Sequence, residues 1–326
     1  MAWLTFALSA AIVVVAATKL AEYGDVIAVR TRLSGMFIGT LLLAGATSLP
    51  ELLSAINALS IDVPNLAAGS MFGSSMFNML MLALLDLINQ QARILRQVVM
   101  NHALTASLAN LLMGLAVFFV LANLDLKIGW IGVDSLVIMA VYAGGVRLIQ
   151  QQGGKPPSEV PIDDRVPKLW KALLGFGTAA LLLVIIAPTL VQSAKAIADS
   201  TGLSAGFVGA TLLAITTSLP ELVATIAAAR IRAFDLAVGN LFGSNLFNMF
   251  ALGLTDVFYT KARFLGVIDP AFALVGMLGL VLTTLGLIGN IARVERRFFF
   301  VEIDALLILL GYLLGMWFLY SRGIGV

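Results

Sequence analysis

Two short stretches of the sequence place a glutamate and a proline inside segments that are otherwise apolar. In the first stretch, ATSLPEL, Thr47, Ser48 and Glu51 stand at positions i, i+1 and i+4, so on a helix they project from one side. A second stretch, TTSLPEL, repeats the same residue types at the same spacing in Thr217, Ser218 and Glu221. A carboxylate inside a membrane is costly and points to a functional site. The two glutamates and their hydroxyl neighbours are therefore candidate ligands for a cation.

Each glutamate directly follows a proline, which has no backbone N–H to donate. Pro50 therefore deprives the carbonyl of Ala46 of its helical partner, and Pro220 does the same to the carbonyl of Thr216. Free carbonyls within a membrane are tolerated where protein or a cavity satisfies them. We expect these two carbonyl oxygens to be available to a bound cation.

The apolar segment that follows each glutamate adds polar groups one helical turn apart. GSMFGSSMFN contains Ser74 and Asn78, and GNLFGSNLFN contains Ser244 and Asn248. Two glycine pairs have the spacing that lets helices approach closely: Gly69 with Gly73, and Gly239 with Gly243. All the candidate ligands are oxygen atoms. Such a set suits a hard cation, because Ca²⁺ takes 6–8 oxygen ligands, and Na⁺ accepts similar donors.

These motifs belong to an internal repeat. Shifting the sequence by 170 residues superimposes 39–86 on 209–256 without a gap, with 25 identities in 48 positions. The identities concentrate on polar and proline positions that a purely structural helix does not need. The repeat therefore indicates a duplication with a function.

The composition predicts an all-α polytopic membrane protein. Of the 326 residues, 60% are hydrophobic and only 12% are charged, whereas a soluble protein has about 25% charged residues. The mean hydropathy is +1.01. The absence of cysteine excludes disulfides and thiolate metal sites, and a net charge of +2 gives no sign of a nucleic-acid surface. We expect the lipid bilayer to be the main surrounding, and no protein partner is implied.

Apolar runs predict ten transmembrane helices in two five-helix halves. The spans are roughly 2–22, 33–59, 66–88, 98–122, 128–149, 170–198, 203–229, 235–258, 266–291 and 299–321. The segment QQGGKPPSEVPIDDRVPK, 151–168, is rich in Pro, Gly and charge and divides a first half, 1–150, from a second half, 169–326. Because each half has an odd number of spans, the second half enters the membrane inverted. Many secondary transporters are built from such inverted repeats.

The distribution of Lys and Arg predicts the orientation. With the N-terminus outside, the inner loops hold fourteen of these residues: Arg30, Arg32, Arg93, Arg96, Arg147, Lys155, Arg165, Lys168, Lys171, Arg230, Arg232, Arg293, Arg296 and Arg297. The outer loops then hold five: Lys127, Lys195, Lys261, Arg263 and Arg322. Since cytoplasmic loops carry the excess of basic residues, both termini are predicted to lie outside a cell membrane and the linker in the cytoplasm.

The remaining charged groups are assigned simpler roles. Asp86 and Asp256 match in the repeat but stand near span ends, which favours anchoring at the membrane interface over ligation. Glu302 and Asp304 open the last span and are expected at headgroup level. His102, the only histidine, has no repeat counterpart and no evident partner in sequence.

At the two motifs the chain resembles the calcium/cation antiporter superfamily. ATSLPEL and TTSLPEL, followed by GSMFGSSMFN and GNLFGSNLFN, are similar to its two α-repeats over about 50 residues in each half. The span count, inverted halves and compact linker resemble prokaryotic sodium/calcium exchangers. The first motif of the proton-coupled branch resembles GNATE more than TSLPE, so the resemblance favours Na⁺ as the driving ion.

The resemblance also implies roles for individual residues. It implies that Glu51 and Glu221 ligate Ca²⁺ together with the carbonyls of Ala44 and Ala214. Na⁺ sites or shared sites are implied for Thr47, Ser48, Ser74, Thr217, Ser218 and Ser244. Several relatives carry an aspartate where this chain has Asn248, so the site here holds two formal charges rather than three. Ca²⁺ and Na⁺ are thus expected as transported substrates, with no prosthetic group.

The sequence is compatible with four functions to different degrees. A Na⁺-driven Ca²⁺ antiporter working by alternating access comes first, and a H⁺-coupled or other divalent-cation antiporter on the same scaffold comes second. An intramembrane hydrolase is disfavoured, because His102 is far from the serines of the motifs and the buried candidates are glutamates rather than paired aspartates. A channel is disfavoured, because two mirrored motifs around one buried site suit alternation better.

Overall fold

The structure of the protein, a computed structural model, describes residues 1–31, 43–89, 102–152, 167–292, 297–298 and 301–323. Parts of two predicted features lie outside these residues. They are positions 33–42 of the second span, of which 39–42 also belong to the first repeat, and positions 153–166 of the linker. Seven of the basic residues used for the orientation also lie outside them: Arg32, Arg93, Arg96, Lys155, Arg165, Arg293 and Arg296.

The described elements are helices, apart from two very short hairpins. In chain order the helices are α1 Ala2–Thr31, α2 Ala44–Thr47, α3 Leu49–Ser60, α4 Pro64–Ile88, α5 Ala103–Ala122, α6 Val133–Gln152, α7 Leu169–Thr201, α8 Ala205–Val208, a π-helical turn Gly209–Leu213, α9 Ala214–Thr217, α10 Leu219–Arg230, α11 Phe234–Phe258, α12 Phe264–Val267, α13 Phe272–Ala292 and α14 Ile303–Arg322. The antiparallel strand pairs are β1 Lys127–Ile128 with β2 Ile131–Gly132, and β3 Arg297–Phe298 with β4 Val301–Glu302.

Six of the described helices are long and apolar enough to cross a membrane: α1, α4, α5, α6, α7 and α14. A seventh span is formed if the bent pair Ala205–Thr217 and Leu219–Arg230 is taken as one. α11, which covers the predicted span 235–258, is not among these six and carries asparagines and aspartates along its length. The apolar part of α13 is the shorter stretch Phe272–Ile288. A polytopic helical membrane fold is therefore confirmed, while the number ten stays a prediction.

α4 and α11 form the centre of the molecule. Most residues of both helices are buried, including the whole stretch from Leu66 to Met76 in α4. α5 and α13 pack around this pair, and Phe72 of α4 stacks on Phe272 with 6.4 Å between ring centroids. The central helices therefore carry their polar residues into the interior, where those residues must be satisfied by the protein or by a ligand.

Glycine lets α4 pass very close to the backbone of the second half. A Cβ atom placed on Gly73 would lie 2.5 Å from the carbonyl oxygen of Ala210, and one on Gly69 would overlap the carbonyl of Gly206. The predicted small-xxx-small contact is thus made by the first glycine pair against α8 and the π-helical turn. This crossing brings the polar face of α4 next to the second repeat motif.

α1 and α7 lie along each other in opposite directions. Tyr23 packs against Gly175. The guanidinium of Arg30, near the end of α1, donates to the carbonyl of Pro167, just before α7, at 3.0 Å. The end of α1 therefore lies beside the start of α7.

Candidate cation-binding site

Both repeat motifs break a helix at the same serine. α2 ends and α3 begins around Ser48, with φ −88° and ψ 8°, and α9 ends and α10 begins around Ser218, with φ −90° and ψ 3°. The second break bends the chain by 42°. Pro50 and Pro220 sit in the first turn of the new helix, where the missing N–H costs nothing. The motifs are thus two half-helices meeting at a serine, and not the continuous helix that the spacing argument assumed.

The break changes one prediction about the backbone. Backbone N–H groups at the cap of α2 bond to the carbonyls of Ala44 and Ala46, and those at the cap of α9 bond to the carbonyls of Ala214 and Thr216. The prediction of free carbonyls at Ala46 and Thr216 is therefore wrong. The helix tightens before the proline, so an N–H group from a residue that precedes the proline bonds to the carbonyl that would otherwise be free.

The two glutamates lie in the first turn of α3 and α10 and are 0% and 1% exposed. Each accepts a hydrogen bond from the serine of the other copy. Ser48 Oγ donates to Glu221 Oε1 at 2.8 Å, and Ser218 Oγ donates to Glu51 Oε1 at 2.9 Å. The crossed pair ties the two motifs together across more than 160 residues of sequence, so both carboxylates belong to one site.

The predicted serines of the following helices complete each half in the same way. Ser74 Oγ of α4 lies 3.4 Å from Glu51 Oε1, and Ser244 Oγ of α11 lies 3.4 Å from Glu221 Oε1. Ser74 Oγ is also 3.4 Å from the carbonyl oxygen of Ala214, so it reaches both motifs. All of these side chains are buried. The structure therefore brings together the serines and glutamates that the sequence singled out.

The threonines mainly bond back to the helix on which they stand. Thr47 Oγ1 is 3.2 Å from the carbonyl of Ala44, and Thr217 Oγ1 is 3.0 Å from that of Leu213 and 3.3 Å from that of Ala214. A hydroxyl that donates in this way keeps its oxygen lone pairs. Both threonines are completely buried and remain able to offer an oxygen to a cation.

Of the buried oxygens that have no hydrogen-bond partner among the described residues, four belong to candidate ligands, two from each copy. They are Glu51 Oε2, Glu221 Oε2, Asn78 Oδ1 and Asn248 Oδ1. An unsatisfied buried acceptor costs roughly 1–3 kcal/mol, and more when it is charged. Four such acceptors in repeat-related positions indicate a site whose missing partner is a positive ligand.

The donor set is one that suits a hard cation. Within the described residues there is no group of three or more His, Cys, Asp or Glu side chains that could hold a metal. The site instead combines two carboxylates with neutral amide, hydroxyl and carbonyl oxygens. Oxygen-rich sets of this kind suit Ca²⁺ and Na⁺ rather than transition metals, which favour imidazole and thiolate.

Two asparagines of α11 take part in this network that were not among the predicted ligands. Asn240 Oδ1 is 3.5 Å from Thr47 Oγ1, and its amide nitrogen is 3.4 Å from the carbonyl of Glu221. Asn245 accepts a hydrogen bond from Asn78 at 2.9 Å. Both stand where the first copy has a serine, and only identical repeat positions had been taken as candidates. The polarity of both positions in both copies was the available signal.

The other charged residues lie outside this network. Asp256 is completely buried and accepts from the backbone N–H groups of Gly132, at 2.7 Å, and Phe264, at 2.6 Å. Asp86 is 2% exposed. Both aspartates are therefore enclosed by protein, and their position at the membrane surface stays a prediction. Asp256 fastens the end of α11 to the loops around it.

Arg263 and His102 each have an acidic partner from a distant part of the chain. Arg263 is buried and forms an ion pair with buried Asp134 at 2.5 Å, so it is not a free loop charge. His102 is buried with its Nε2 atom 3.7 Å from Asp235 Oδ1. The prediction that it lacks a nearby partner is wrong, because the partner comes from the other half. Asp304 opens α14 and takes part in an interaction, and the side chain of Glu302 lies outside the described residues.

The family model described as "Sodium/calcium exchanger protein" matches residues 1–149 and 171–321. The chain belongs to this family. The match spans both halves and leaves out the linker, so family membership rests on the whole fold and not on the two motifs alone. The resemblance to cation antiporters is confirmed, and the class is that of a membrane exchanger rather than of a hydrolase.

Known relatives match over different lengths. The putative antiporter CaxA of Alkalimonas amylolytica is 29% identical over 293 residues, which cover 83% of this chain and 85% of the relative. The sodium/calcium exchanger MaX1 of Methanosarcina acetivorans is 44% identical over 78 residues, 24% of this chain and 22% of that protein. The solved structure of the sodium-calcium exchanger NCX_Mj, 21% identical, superimposes with a TM-score of 0.61 and covers 97% of this chain and 99% of the other. That likeness shows a shared fold.

Proposed function

We propose that this protein exchanges Na⁺ for Ca²⁺ across the membrane by alternating access, with Glu51 and Glu221 as the central ligands. The observation that carries the proposal is the set of four unpartnered oxygens around the crossed serine–glutamate pair. Both carboxylates offer one satisfied and one free oxygen, so each can bind a cation without giving up its serine. Family membership supports the same conclusion.

The charge of the site fits a divalent cation. With both glutamates ionised the empty site carries a charge of −2, which one Ca²⁺ neutralises. Asn78 and Asn248 add oxygen without adding charge. The hydroxyls of Ser48, Ser74, Thr47 and their repeat counterparts, with the carbonyls of Ala44 and Ala214, bring the available oxygens above the 6–8 that Ca²⁺ needs. The surplus leaves room for several Na⁺ ions bound in place of Ca²⁺.

We further propose ten transmembrane helices in two inverted halves, 1–150 and 169–326, with repeat motifs at 39–86 and 209–256. The antiparallel course of α1 and α7 supports the inversion. The hairpins support the duplication, because β3 and β4 lie 170 residues after β1 and β2, the same offset that aligns the motifs. The duplicated unit therefore extends beyond the motifs to the helix that ends each half. Both termini are placed outside the cell membrane and the linker 151–168 inside.

H⁺ coupling is the second candidate, and it follows from the same two charges. Two protons neutralise the site as well as one Ca²⁺ does, so a proton-driven exchanger could use the same glutamates. Asn248 adds no titratable group, so the two glutamates can together take up two protons at most.

The driving ion can be tested with purified protein in vesicles. Proteoliposomes loaded with Na⁺ and diluted into Na⁺-free buffer with labelled Ca²⁺ should take up Ca²⁺, whereas vesicles loaded with K⁺ should not. Protein-free vesicles loaded with Na⁺ control for leakage. Uptake that follows an acid interior and ignores Na⁺ would replace the sodium proposal by the proton one, and no uptake under either gradient would overturn exchange of Ca²⁺ altogether.

A further inference from the structure

The two halves of the cation site differ in how their asparagines are held. Asn78 and Asn248 occupy equivalent positions in α4 and α11, and both are buried. Asn78 Nδ2 donates to Asn245 Oδ1 at 2.9 Å. Within the described residues, neither the amide nitrogen nor the amide oxygen of Asn248 has a hydrogen-bond partner. The repeat is therefore symmetric in residue type at this position and asymmetric in the hydrogen bonding of the side chain.

A backbone carbonyl fixes the orientation of both amides in the first half. Asn245 Nδ2 lies 3.2 Å from the carbonyl oxygen of Ser75, which can only accept a hydrogen bond. The nitrogen of Asn245 must therefore face Ser75, and its oxygen must face Asn78. That oxygen needs a donor, so Asn78 presents its nitrogen to Asn245 and turns its own oxygen away. The free oxygen of Asn78 is thus held in place before any cation arrives.

The second half lacks the equivalent support because the residue type differs. Ser75 stands where the second copy has Asn245, and its hydroxyl bonds to the carbonyl of Met71 in its own helix at 3.1 Å. A serine side chain is too short to act as Asn245 does. The amide of Asn248 is left without a bond that selects one of its two orientations, so a cation must order it on binding.

We propose that Asn245 is a positioning residue for cation binding, which holds the amide oxygen of Asn78 toward the site and so makes the first half the more preorganised one. This inference rests on the proposed function, because it takes Asn78 as a ligand of the transported cation. A preorganised ligand loses less conformational freedom on binding, which raises affinity without a new contact. Asn245 itself does not need to touch the cation.

Asn245→Ser, which installs the residue of the first copy, tests the inference through the Ca²⁺ concentration at half-maximal exchange. We expect about a fivefold rise in this concentration, the effect of one lost hydrogen bond. A small fall in the melting temperature without Ca²⁺ is expected as well, because both hydrogen bonds of Asn245 are buried. Asn245→Ala removes the same two bonds and serves as a second variant if the serine variant fails to fold.

A double-mutant comparison separates positioning from a general structural role. Placed on Asn78→Ala, the Asn245→Ser change should have no further effect on the Ca²⁺ concentration, because the ligand that it positions is gone. Placed on Asn248→Ala, it should keep its fivefold effect. An equal effect in both backgrounds, or no effect in the wild-type background, would overturn the inference while leaving Ca²⁺ exchange intact. A wild-type protein that moves no Ca²⁺ would instead overturn the proposed function, and this inference with it.

Discussion

Ser48 donates a hydrogen bond to Glu221 at 2.8 Å, although Glu51 is only three residues away from it in sequence. Ser218 makes the mirror bond to Glu51 at 2.9 Å. Each helix break therefore supplies a hydroxyl to the carboxylate of the opposite copy. A change at one break reaches the ligand of the other, which gives the two halves a direct link through the centre of the site.

Loss of either crossed hydroxyl should weaken Ca²⁺ binding to a similar extent. We expect Ser48→Ala and Ser218→Ala each to raise the Ca²⁺ concentration at half-maximal exchange about tenfold, because a hydrogen bond to a charged group is worth roughly 1.5–3 kcal/mol. Ser60→Ala is the matched control, since Ser60 is exposed and bonds within α3 to the carbonyl of Asn57. A large effect of one variant with none of the other would contradict the equal standing of the two halves.

The close crossing of α4 makes Gly73 sensitive to a single added carbon. Gly73→Ala places a Cβ 2.5 Å from the carbonyl oxygen of Ala210, so we expect a loss of about 1–3 kcal/mol in stability. Gly114→Ala is the control, because a Cβ on Gly114 has no described atom within 4 Å. That change should be neutral or gain up to about 1 kcal/mol from helix propensity. Thermal unfolding in detergent measures both, and equal melting temperatures would argue against the tight crossing.

The topology can be read with single cysteines, since the chain has none of its own. Ser158→Cys in the linker and Gly325→Cys at the C-terminus are suitable probes, and both positions lie outside the described residues. A membrane-impermeant thiol reagent applied to intact cells should label Gly325→Cys and spare Ser158→Cys until the cells are broken. The reverse pattern would invert the proposed orientation.

Exchange should carry net charge. A site of charge −2 is neutral with one Ca²⁺ and positive with more than two Na⁺, so each cycle moves charge at about 2.3 kcal/mol per elementary charge per 100 mV. We expect Na⁺-driven Ca²⁺ flux in proteoliposomes to change when K⁺ and valinomycin impose a potential. Vesicles with equal K⁺ on both sides and valinomycin hold the potential at zero as the control. Flux that ignores the potential but follows a pH gradient would instead fit a neutral exchange of two H⁺ for one Ca²⁺.

The sequence predicted which buried polar residues come together better than it predicted how they pair. The gapless repeat singled out Glu51, Glu221 and the serines, because duplicated polar residues in apolar segments have few structural explanations. It could not predict that each serine would pair with the glutamate of the other copy. On a continuous helix Ser48 lies near Glu51, and only the packing of two broken helices against each other turns it toward Glu221.

The errors also have physical causes. The carbonyls of Ala46 and Thr216 were expected to be free because a proline removes their regular partner, but the helix ends there and earlier N–H groups bond to them. The hydrogen bonds that Asp256 accepts from Gly132 and Phe264 could not be foreseen, because both donors lie in other elements of the fold. The partner of His102 is 133 residues away in sequence, a contact that no local pattern contains.

The most direct test of the two-carboxylate site is Ca²⁺ uptake into Na⁺-loaded proteoliposomes by Glu51→Gln and Glu221→Gln. Each change keeps the shape of the side chain and removes half the charge that faces a divalent cation, so we expect uptake to fall to the level of protein-free vesicles. Glu22→Gln is the matched control, because Glu22 is exposed in α1 and pairs with Lys19. It should transport as the wild type does. Normal Ca²⁺ uptake by either Glu51→Gln or Glu221→Gln would contradict the account.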